Sequence, residues 1–169
     1  MKRIRFGDMQ CSLARGLDLI GDWWSPLIIR DLYLGVSRFD DLVEDLGLSR
    51  NLLASRLKQL TEHGIIVREE YQQHPARYDY RLTAAGRDLV PIIIALTAWG
   101  NRWACPKEGP PIAFEHTGCG KDFQPAVVCA GCGEAITAET VRAHAGPGGR
   151  AKRGTRLIGR MLAARGPKA

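Results

Sequence analysis

The sequence predicts an α+β protein that is mostly helical, and two observations carry this prediction. Apolar residues recur every three or four positions in four successive segments between residues 13 and 63, which is the spacing of amphipathic helices. Two short runs rich in β-branched and aromatic residues follow, IIVREEY and RYDYRLT, before a longer helical stripe between residues 83 and 104. Short helices, a hairpin and a long helix in this order predict one small domain.

The first two helices are predicted from an apolar stripe and from capping residues. Residues 13–20 place apolar side chains at i, i+4 and i+7, on one helical face. Ser25 is a favoured N-cap residue, and Pro26 directly after it is a favoured first helical residue. The second helix should therefore start at this pair and end at Gly35, because glycine readily adopts the backbone conformation that follows a helix.

The third and fourth helices are predicted to follow each other almost directly. FDDLVEDL has the apolar spacing of a short helix, which Gly47 closes. Ser49 is a good N-cap, a stripe of three leucines follows, and Gly64 provides the stop, so residues 50–63 form an amphipathic helix. Two helices joined by a tight glycine-containing turn make a helix-turn-helix candidate.

A wing and a long helix complete the predicted domain. Residues 72–76 join the two β runs into a hairpin with a proline at its tip, and the wing spans residues 71–78. Thr83 caps a long helix that ends near Ala104, with Pro91 tolerable near the first turn or at a kink. The apolar stripe of this helix presents more surface than one small domain can cover, so it is predicted to form a homodimer.

The fourth helix carries polar residues suited to reading DNA. A helix-turn-helix lays its second helix in the major groove, where arginine pairs with guanine and asparagine with adenine. A cation at the hairpin tip can meet a phosphate or enter the minor groove. The candidate contacts to double-stranded DNA are Ser49, Arg50, Asn51, Ser55, Arg56, Lys58, His74 and Arg77. The other interpretation of this helix is a solvated polar face, which is what most such faces are.

Three segments of the domain together resemble a known family. LDLIGDWWSPLIIRDLYLGVSRFDDL, LSRNLLASRLKQLTEHGII and PARYDYRLTAAGRDLVPIIIALTAWG look like successive signature segments of the HxlR family, across residues 11–103. The resemblance implies a dimeric winged helix-turn-helix transcription regulator that binds a pseudo-palindromic operator through recognition helix 50–63. It also implies that the first and last helices of the domain pack across the two-fold axis.

Cys11 acquires a candidate role from the same resemblance. It matches a cysteine that often opens the domain in this family, and in some members that cysteine senses electrophiles or oxidants. The resemblance makes Cys11 a candidate redox sensor, with an oxidant or a small molecule as the signal. The other interpretation is a small apolar residue packed at the dimer interface.

The positive charge of the chain belongs to its tail. The formal net charge is +6, yet residues 150–169 contain seven Lys or Arg and no acid, which leaves −1 for residues 1–149. The basicity is therefore weak evidence that the folded part binds nucleic acid. We expect a winged-helix domain over residues 1–105, a linker over 106–111, a cysteine-bearing extension over 112–145 and a disordered basic tail over 146–169. The alternative for LIGRMLAAR within the tail is a transient basic helix.

One histidine and three cysteines in the extension have the spacing of a zinc knuckle. His116 and Cys119 form H-x-x-C, and after nine residues Cys129 and Cys132 form C-x-x-C, with a glycine directly after Cys119 and Cys132. Imidazole and thiolate bind Zn²⁺ tetrahedrally, and glycine lets backbone N–H groups approach the sulfur. The pattern predicts a small zinc-ribbon-like extension with one structural Zn²⁺. A pair of reducible thiols is the alternative.

Enzyme and membrane signatures are missing from the sequence. The C-x-x-C of a zinc deaminase comes with H-x-E, which neither HTG nor HAG supplies, and there is no G-x-S-x-G, H-E-x-x-H, G-x-G-x-x-G or P-loop. No apolar run reaches the roughly 18 residues needed to cross a bilayer. We therefore expect a cytoplasmic protein that is not an enzyme and has no membrane partner. The alternative function is an RNA- or protein-binding module, with the winged helix as scaffold and the extension and tail as binding surface.

Overall fold

A computed structural model describes residues 6–165 and confirms a mostly helical α+β fold. The elements in chain order are α1 (Ser12–Ile20), α2 (Trp24–Leu34), α3 (Phe39–Leu46), α4 (Arg50–Glu62), β1 (Ile66–Gln73), β2 (Ala76–Leu82), α5 (Ala84–Trp103), β3 (Glu115–His116), β4 (Lys121–Asp122) and α6 (Arg156–Ala164). The short helices, the hairpin and the long helix follow one another in the predicted order. None of the described helices is both long and apolar enough to pass through a lipid bilayer.

The hydrophobic core lies between α2, α3, α4 and the start of β1. Among the described residues its buried apolar side chains all fall between positions 28 and 66; they are Ile28, Ile29, Leu42, Leu48, Leu53, Leu57, Leu60, Ile65 and Ile66. Partly buried side chains of β2 and α5, including Leu82, Leu89 and Ile93, pack against this cluster. The helix-turn-helix and the base of the hairpin are therefore held as one unit.

The hairpin forms a wing that is tied to the helices. β1 and β2 pair antiparallel, and the last pair is Gln73 opposite Ala76, so the tip is shorter than the connection predicted over residues 72–76. Asp79 of β2 also forms an antiparallel bridge with Arg38, in the segment that leads into α3. Through this bridge the wing is attached to the helix-turn-helix by backbone pairing as well as by the core.

The helix N-termini follow the predicted capping residues with one exception. The hydroxyls of Ser49 and Thr83 accept hydrogen bonds from backbone N–H groups in the first turns of α4 and α5. The prediction that Ser25 caps α2 was wrong, because Ser25 lies inside the helix and is only 2% exposed. The Asp22 carboxylate takes this role: its Oδ1 accepts from the backbone N–H groups of Trp24 at 2.9 Å and Ser25 at 3.1 Å.

The first turn of α5 packs closely against the connection between α4 and β1. A Cβ atom at Gly86 would lie 2.2 Å from the carbonyl oxygen of Ile65, so only glycine fits there without a shift of the backbone. The hydroxyl of Thr83 donates to the carbonyl of Gly64 at 2.6 Å, beside this contact. The long helix is thereby anchored to the end of the helix-turn-helix.

The extension beyond the long helix has local structure but no buried side chain. β3 and β4 form a short antiparallel hairpin, and Val128 bridges to Ala135 in a second hairpin-like turn. Every residue described between 105 and 165 is exposed or only partly buried. Phe114 reaches back to the domain and lines a small crevice between α2 and α5, together with Tyr33 and Ile94 among others.

The basic tail contains α6, so the helical alternative for LIGRMLAAR describes this segment and disorder does not. The segment consists largely of good helix formers, and the approach of the tail to the N-terminal arm supports it. The backbone N–H of Gln10 donates to the carbonyl of Arg153 at 2.9 Å, and the Arg153 side chain forms an ion pair with Asp8. These contacts join positions more than a hundred residues apart, which helical periodicity does not reveal.

Candidate DNA-binding surface

The turn between α3 and α4 sets the position of the second helix. Gly47 has φ +62°, a left-handed conformation that glycine adopts readily and that ends α3. Leu48 is buried in the core, and the Ser49 hydroxyl accepts from the backbone N–H of Leu52 at 3.3 Å. A left-handed turn, an apolar anchor and an N-cap in three consecutive residues fix the start of α4.

The two faces of α4 separate as the sequence predicts. Leu53, Leu57 and Leu60 are buried, and the predicted contacts Ser49, Arg50, Asn51, Ser55 and Lys58 are all exposed. Asn51, Ser55 and Lys58 lie at i, i+4 and i+7, so they share one face of the helix. Within the described part of the chain, no side-chain partner is found for Asn51 or Ser55, and Lys58 has only Glu62 one turn later, at 3.8 Å. This face is free to meet another molecule.

Arg50 stands at the N-terminal end of α4 and contacts α3. Its Nη1 lies 2.5 Å from Oδ1 of Asp40, and its guanidinium lies over the ring of Phe39, 4.9 Å from the ring centroid. Both members of the ion pair are well exposed, and such pairs contribute only about 0–1 kcal/mol. The pair therefore orients Arg50 without preventing it from exchanging Asp40 for a base or a phosphate.

Arg56 occupies a different environment from the other predicted contacts. It forms an ion pair with Asp22, and the two side chains are only 21% and 18% exposed. Its Nη1 also donates to the amide oxygen of Gln59 at 3.0 Å. The same Asp22 caps α2, so this cluster locks α4 to the N-terminus of α2. The predicted DNA contact of Arg56 stays untested, whereas its observed contacts position the recognition helix.

The wing carries more cations than the sequence analysis singled out. His74 and Arg77 are exposed at or beside its tip, as predicted. Arg68 of β1 lies over the ring of Tyr78, 4.1 Å from the centroid, and Arg38 lies 5.2 Å from the centroid of Tyr71. The interleaving of arginine and tyrosine across the two strands was the signal available in the sequence. The tyrosine rings hold the guanidinium groups of Arg68 and Arg38 in place, and these groups stay positively charged.

Apolar faces are also exposed on α5 and on α1. Four large side chains at successive spacings of four, three and four residues are more than half exposed; they are Ile92, Leu96, Trp99 and Trp103 of α5. Leu13 and Leu17 of α1 are likewise more than half exposed. Cys11 is the N-cap residue of α1, is a free thiol and is partly buried. The apolar faces of α1 and α5 are therefore uncovered within the described residues.

The four candidate metal ligands lie in two turns of the extension. His116 ends β3 and Cys119 follows in the turn, while Cys129 and Cys132 lie in the second turn, and all four are exposed. Hydrogen bonds from the backbone N–H groups of Gly131 and Cys132 lower the pKa of the Cys129 thiol. Within residues 6–165 the structure does not gather three or more His, Cys, Asp or Glu side chains around one metal position. The zinc site therefore stays a prediction.

The helix-turn-helix, its exposed second helix and the antiparallel wing define a winged-helix DNA-binding protein. The family model described as HxlR-like helix-turn-helix matches residues 19–108. The chain is 45% identical over 141 residues to Rv3095 of Mycobacterium tuberculosis, an uncharacterised HTH-type transcriptional regulator, covering 83% of this chain and 89% of the relative. This chain belongs to the HxlR family, and it is a DNA-binding transcription regulator.

Solved structures give the same result. The crystal structure of PA1607, a candidate transcription factor, superposes with a TM-score of 0.73 at 35% identity, over 83% of this chain and 98% of that one. The redox regulator HypR in its oxidised form superposes with a TM-score of 0.51 at 31% identity, over 54% of this chain and 96% of that one. These comparisons do not favour the alternative of an RNA- or protein-binding module, and they point to a class that works by binding DNA.

Proposed function

We propose that this regulator binds a pseudo-palindromic operator as a homodimer, with α4 of each subunit in a major groove and each wing on the flanking backbone. The face formed by Asn51, Ser55 and Lys58 carries the proposal, because it is exposed and polar and lies opposite a buried leucine stripe. Side chains near the N-terminus of such a helix reach base edges. Since its partner is double-stranded DNA, we also propose a cytoplasmic location.

The homodimer is supported by the exposed apolar faces of α1 and α5. Trp99 and Trp103 lie on the same face as Ile92 and Leu96, and isolated monomers rarely expose a contiguous patch of this kind. In such a dimer the two recognition helices would have to lie about one DNA turn apart, which is the spacing of operator half-sites. Light scattering of the full chain at micromolar concentration should give the dimer mass, and a monomer mass would contradict this part of the proposal.

We further propose that an oxidant acts at Cys11. HypR is named a redox regulator, and Cys11 begins the helix whose apolar face would enter the dimer. Oxidation at this position would change the surface that sets the distance between the two recognition helices. Operator release by an oxidant should be lost in Cys11→Ser and kept in Cys105→Ser, which removes an exposed cysteine outside the domain core. Unchanged release from Cys11→Ser would eliminate this role.

The test of DNA recognition compares an operator with random duplex at one salt concentration. Fragments upstream of the chain's own gene supply the operator search, since nonspecific binding gives no discrimination. Asn51→Ala should weaken operator binding by about 1–3 kcal/mol and leave random-duplex binding nearly unchanged. Lys107→Ala is the control, because Lys107 is an exposed cation remote from α4 in the sequence. Equal losses on both duplexes would assign Asn51 to phosphate contact instead of base recognition.

A further inference from the structure

The extension contains two turns with the same sequence pattern and the same backbone geometry. The segments are HTGCG, residues 116–120, and CAGCG, residues 129–133. In the first, the backbone N–H of Gly120 donates to the carbonyl of His116 at 2.8 Å; in the second, Gly133 donates to Cys129 at 2.7 Å. Gly120 has φ +64° and Gly133 has φ +76°, so both turns end in the left-handed conformation that glycine adopts readily.

Each turn is closed by antiparallel pairing of the chain on either side of it. His116 pairs with Lys121 at the end of the first hairpin. In the second, Val128 bridges to Ala135, and the backbone N–H of Cys129 donates to the carbonyl of Glu134 at 2.8 Å. Each H-x-x-C or C-x-x-C pair is therefore carried at the tip of its own small hairpin, with both potential ligands within one turn.

The middle glycine of each turn lies against the side chain of the first potential ligand. A Cβ atom at Gly118 would lie 2.8 Å from Cε1 of His116, and one at Gly131 would lie 3.7 Å from Sγ of Cys129. The His116 imidazole therefore lies against Gly118, and the Cys129 thiol lies against Gly131, each within its own turn. Because Gly131 has no side chain, backbone N–H groups of the second turn have room to approach the Cys129 sulfur, which is how a protein supports a metal-bound thiolate.

Within the described residues, the extension has no buried core of its own, and its ring contacts are limited to those that Phe123 makes with Phe114 and His116. No side chain described after Ala104 is buried, and Val127, Val128 and Ile136 are exposed. A segment without an apolar core needs a disulfide or a metal to hold it, and binding of a structural metal supplies folding free energy. The alignment with Rv3095 spans 141 residues, which is longer than the winged-helix domain, so the similarity to that regulator continues into the extension.

We propose that the extension binds one Zn²⁺ through the imidazole of His116 and the thiolates of Cys119, Cys129 and Cys132. The metal would bring the two preformed turns together, and each thiol would release its proton to solvent on binding. Three sulfur ligands and one nitrogen ligand complete a tetrahedral shell, so no position is left for substrate or water and the role is structural. This site is independent of operator binding.

The test measures zinc in the full chain, purified under reducing conditions without chelator. Elemental analysis should find about one zinc per chain, as a single four-ligand site requires. Cys119→Ser and Cys129→Ser, one from each turn, should lose most of it. Cys105→Ser is the matched control, because Cys105 is exposed, lies just outside the extension and belongs to neither turn. It should retain the zinc of the unaltered chain.

Several outcomes would overturn the site. Less than about a tenth of a zinc per chain, together with a disulfide between Cys129 and Cys132, would establish a redox pair instead of the single four-ligand site. Full zinc content in Cys119→Ser would remove the first turn from the site, and equal loss in Cys105→Ser would refute the ligand set. Far-ultraviolet circular dichroism and melting of each variant show whether the winged-helix domain stays folded, so a zinc loss caused by global unfolding is recognised.

Discussion

The winged-helix domain and the cysteine-bearing extension are held together in different ways. The domain contains every buried apolar side chain that the structure describes, gathered from α2, α3, α4 and the start of β1. The extension contains none, and its order comes from glycine turns, short backbone ladders and hydroxyl contacts such as those between Thr137 and Thr140. Burial joins residues distant in sequence, whereas these turns join only neighbours. The domain should therefore unfold cooperatively, and the extension should respond to metal and local chemistry.

The largest expected effect comes from shortening a leucine in the core of the domain, compared with a leucine in the tail helix α6, which like the extension has no buried side chain among the described residues. Leu53→Ala opens a cavity in the core, because Leu53 is 0% exposed, and should lower the free energy of unfolding by about 2–5 kcal/mol. Leu157→Ala in α6 makes the same chemical change at a side chain that is 68% exposed, and should alter it by less than about 0.5 kcal/mol. Urea denaturation followed by circular dichroism measures both. Similar losses would mean that α6 is as well packed as the core.

A pair of glycines in α5 tests how tightly the long helix meets the domain. Gly86→Ala places a Cβ atom 2.2 Å from the Ile65 carbonyl oxygen and should destabilise the domain by about 1–3 kcal/mol. Gly100→Ala has open space around its Cβ atom and should be neutral or stabilise by up to about 1 kcal/mol, since alanine favours helix. Thermal melting of the two variants gives the comparison. Equal melting temperatures would show that the backbone around Gly86 and Ile65 shifts at little cost to make room for the added Cβ atom.

Two arginines compare an ion pair between helices of the domain with an ion pair between the tail and the N-terminal arm. Arg56→Ala leaves Asp22 largely buried without its cation and should cost about 1–2 kcal/mol, reduced from the value for full burial by partial exposure to solvent. Arg153→Ala breaks the exposed pair with Asp8 and should cost less than about 1 kcal/mol. Denaturant titrations measure both costs. The single variants Asp22→Asn and Arg56→Ala, together with the double variant, give the coupling energy between Asp22 and Arg56. A cost for Arg153→Ala that exceeds the cost for Arg56→Ala would reverse the comparison.

The smallest expected effect is on pH dependence, where the two regions should differ in sign. Burial raises the pKa of Asp31 above its ordinary value, and Arg30 offsets part of this. The ionised Asp31 therefore lowers the free energy of unfolding at pH values above its folded pKa. This loss of stability is relieved as the pH falls from the folded pKa toward the ordinary pKa of an aspartate. A hydrogen bond from the Thr137 hydroxyl lowers the pKa of Glu139, and so does one from its own backbone N–H. Its stabilising contribution is present above the ordinary value and is lost as pH falls through the folded pKa.

Carboxyl carbon shifts followed by NMR during an acid titration measure these two groups separately. The pKa of Asp31 should lie above the ordinary value of an aspartate, and the pKa of Glu139 should lie below the ordinary value of a glutamate. A pKa of Asp31 below the ordinary value would mean that Arg30 lowers this pKa by more than burial raises it, which would contradict the prediction.

Local sequence signals predicted most of the domain, but they failed at one cap. Ser49 and Thr83 were identified because an N-cap hydroxyl acts on backbone N–H groups two or three residues later, within a single turn. Ser25 has the same type of side chain and the same kind of position before an apolar stripe, yet the prediction that it caps α2 was wrong. Asp22 replaces it as the cap of α2 and at the same time pairs with Arg56 of α4, a contact that no window of a few residues contains.

The sequence by itself determined the helices, the hairpin and the polar face of α4, because periodicity and capping act between residues a few positions apart. Only the tertiary structure decided which partner each charged side chain takes. Arg50 contacts Asp40 and Arg56 contacts Asp22 because packing of α2, α3 and α4 around the shared leucine core brings those groups together. A long flexible side chain can reach many positions, and its sequence neighbours do not say which of them is occupied by an acid.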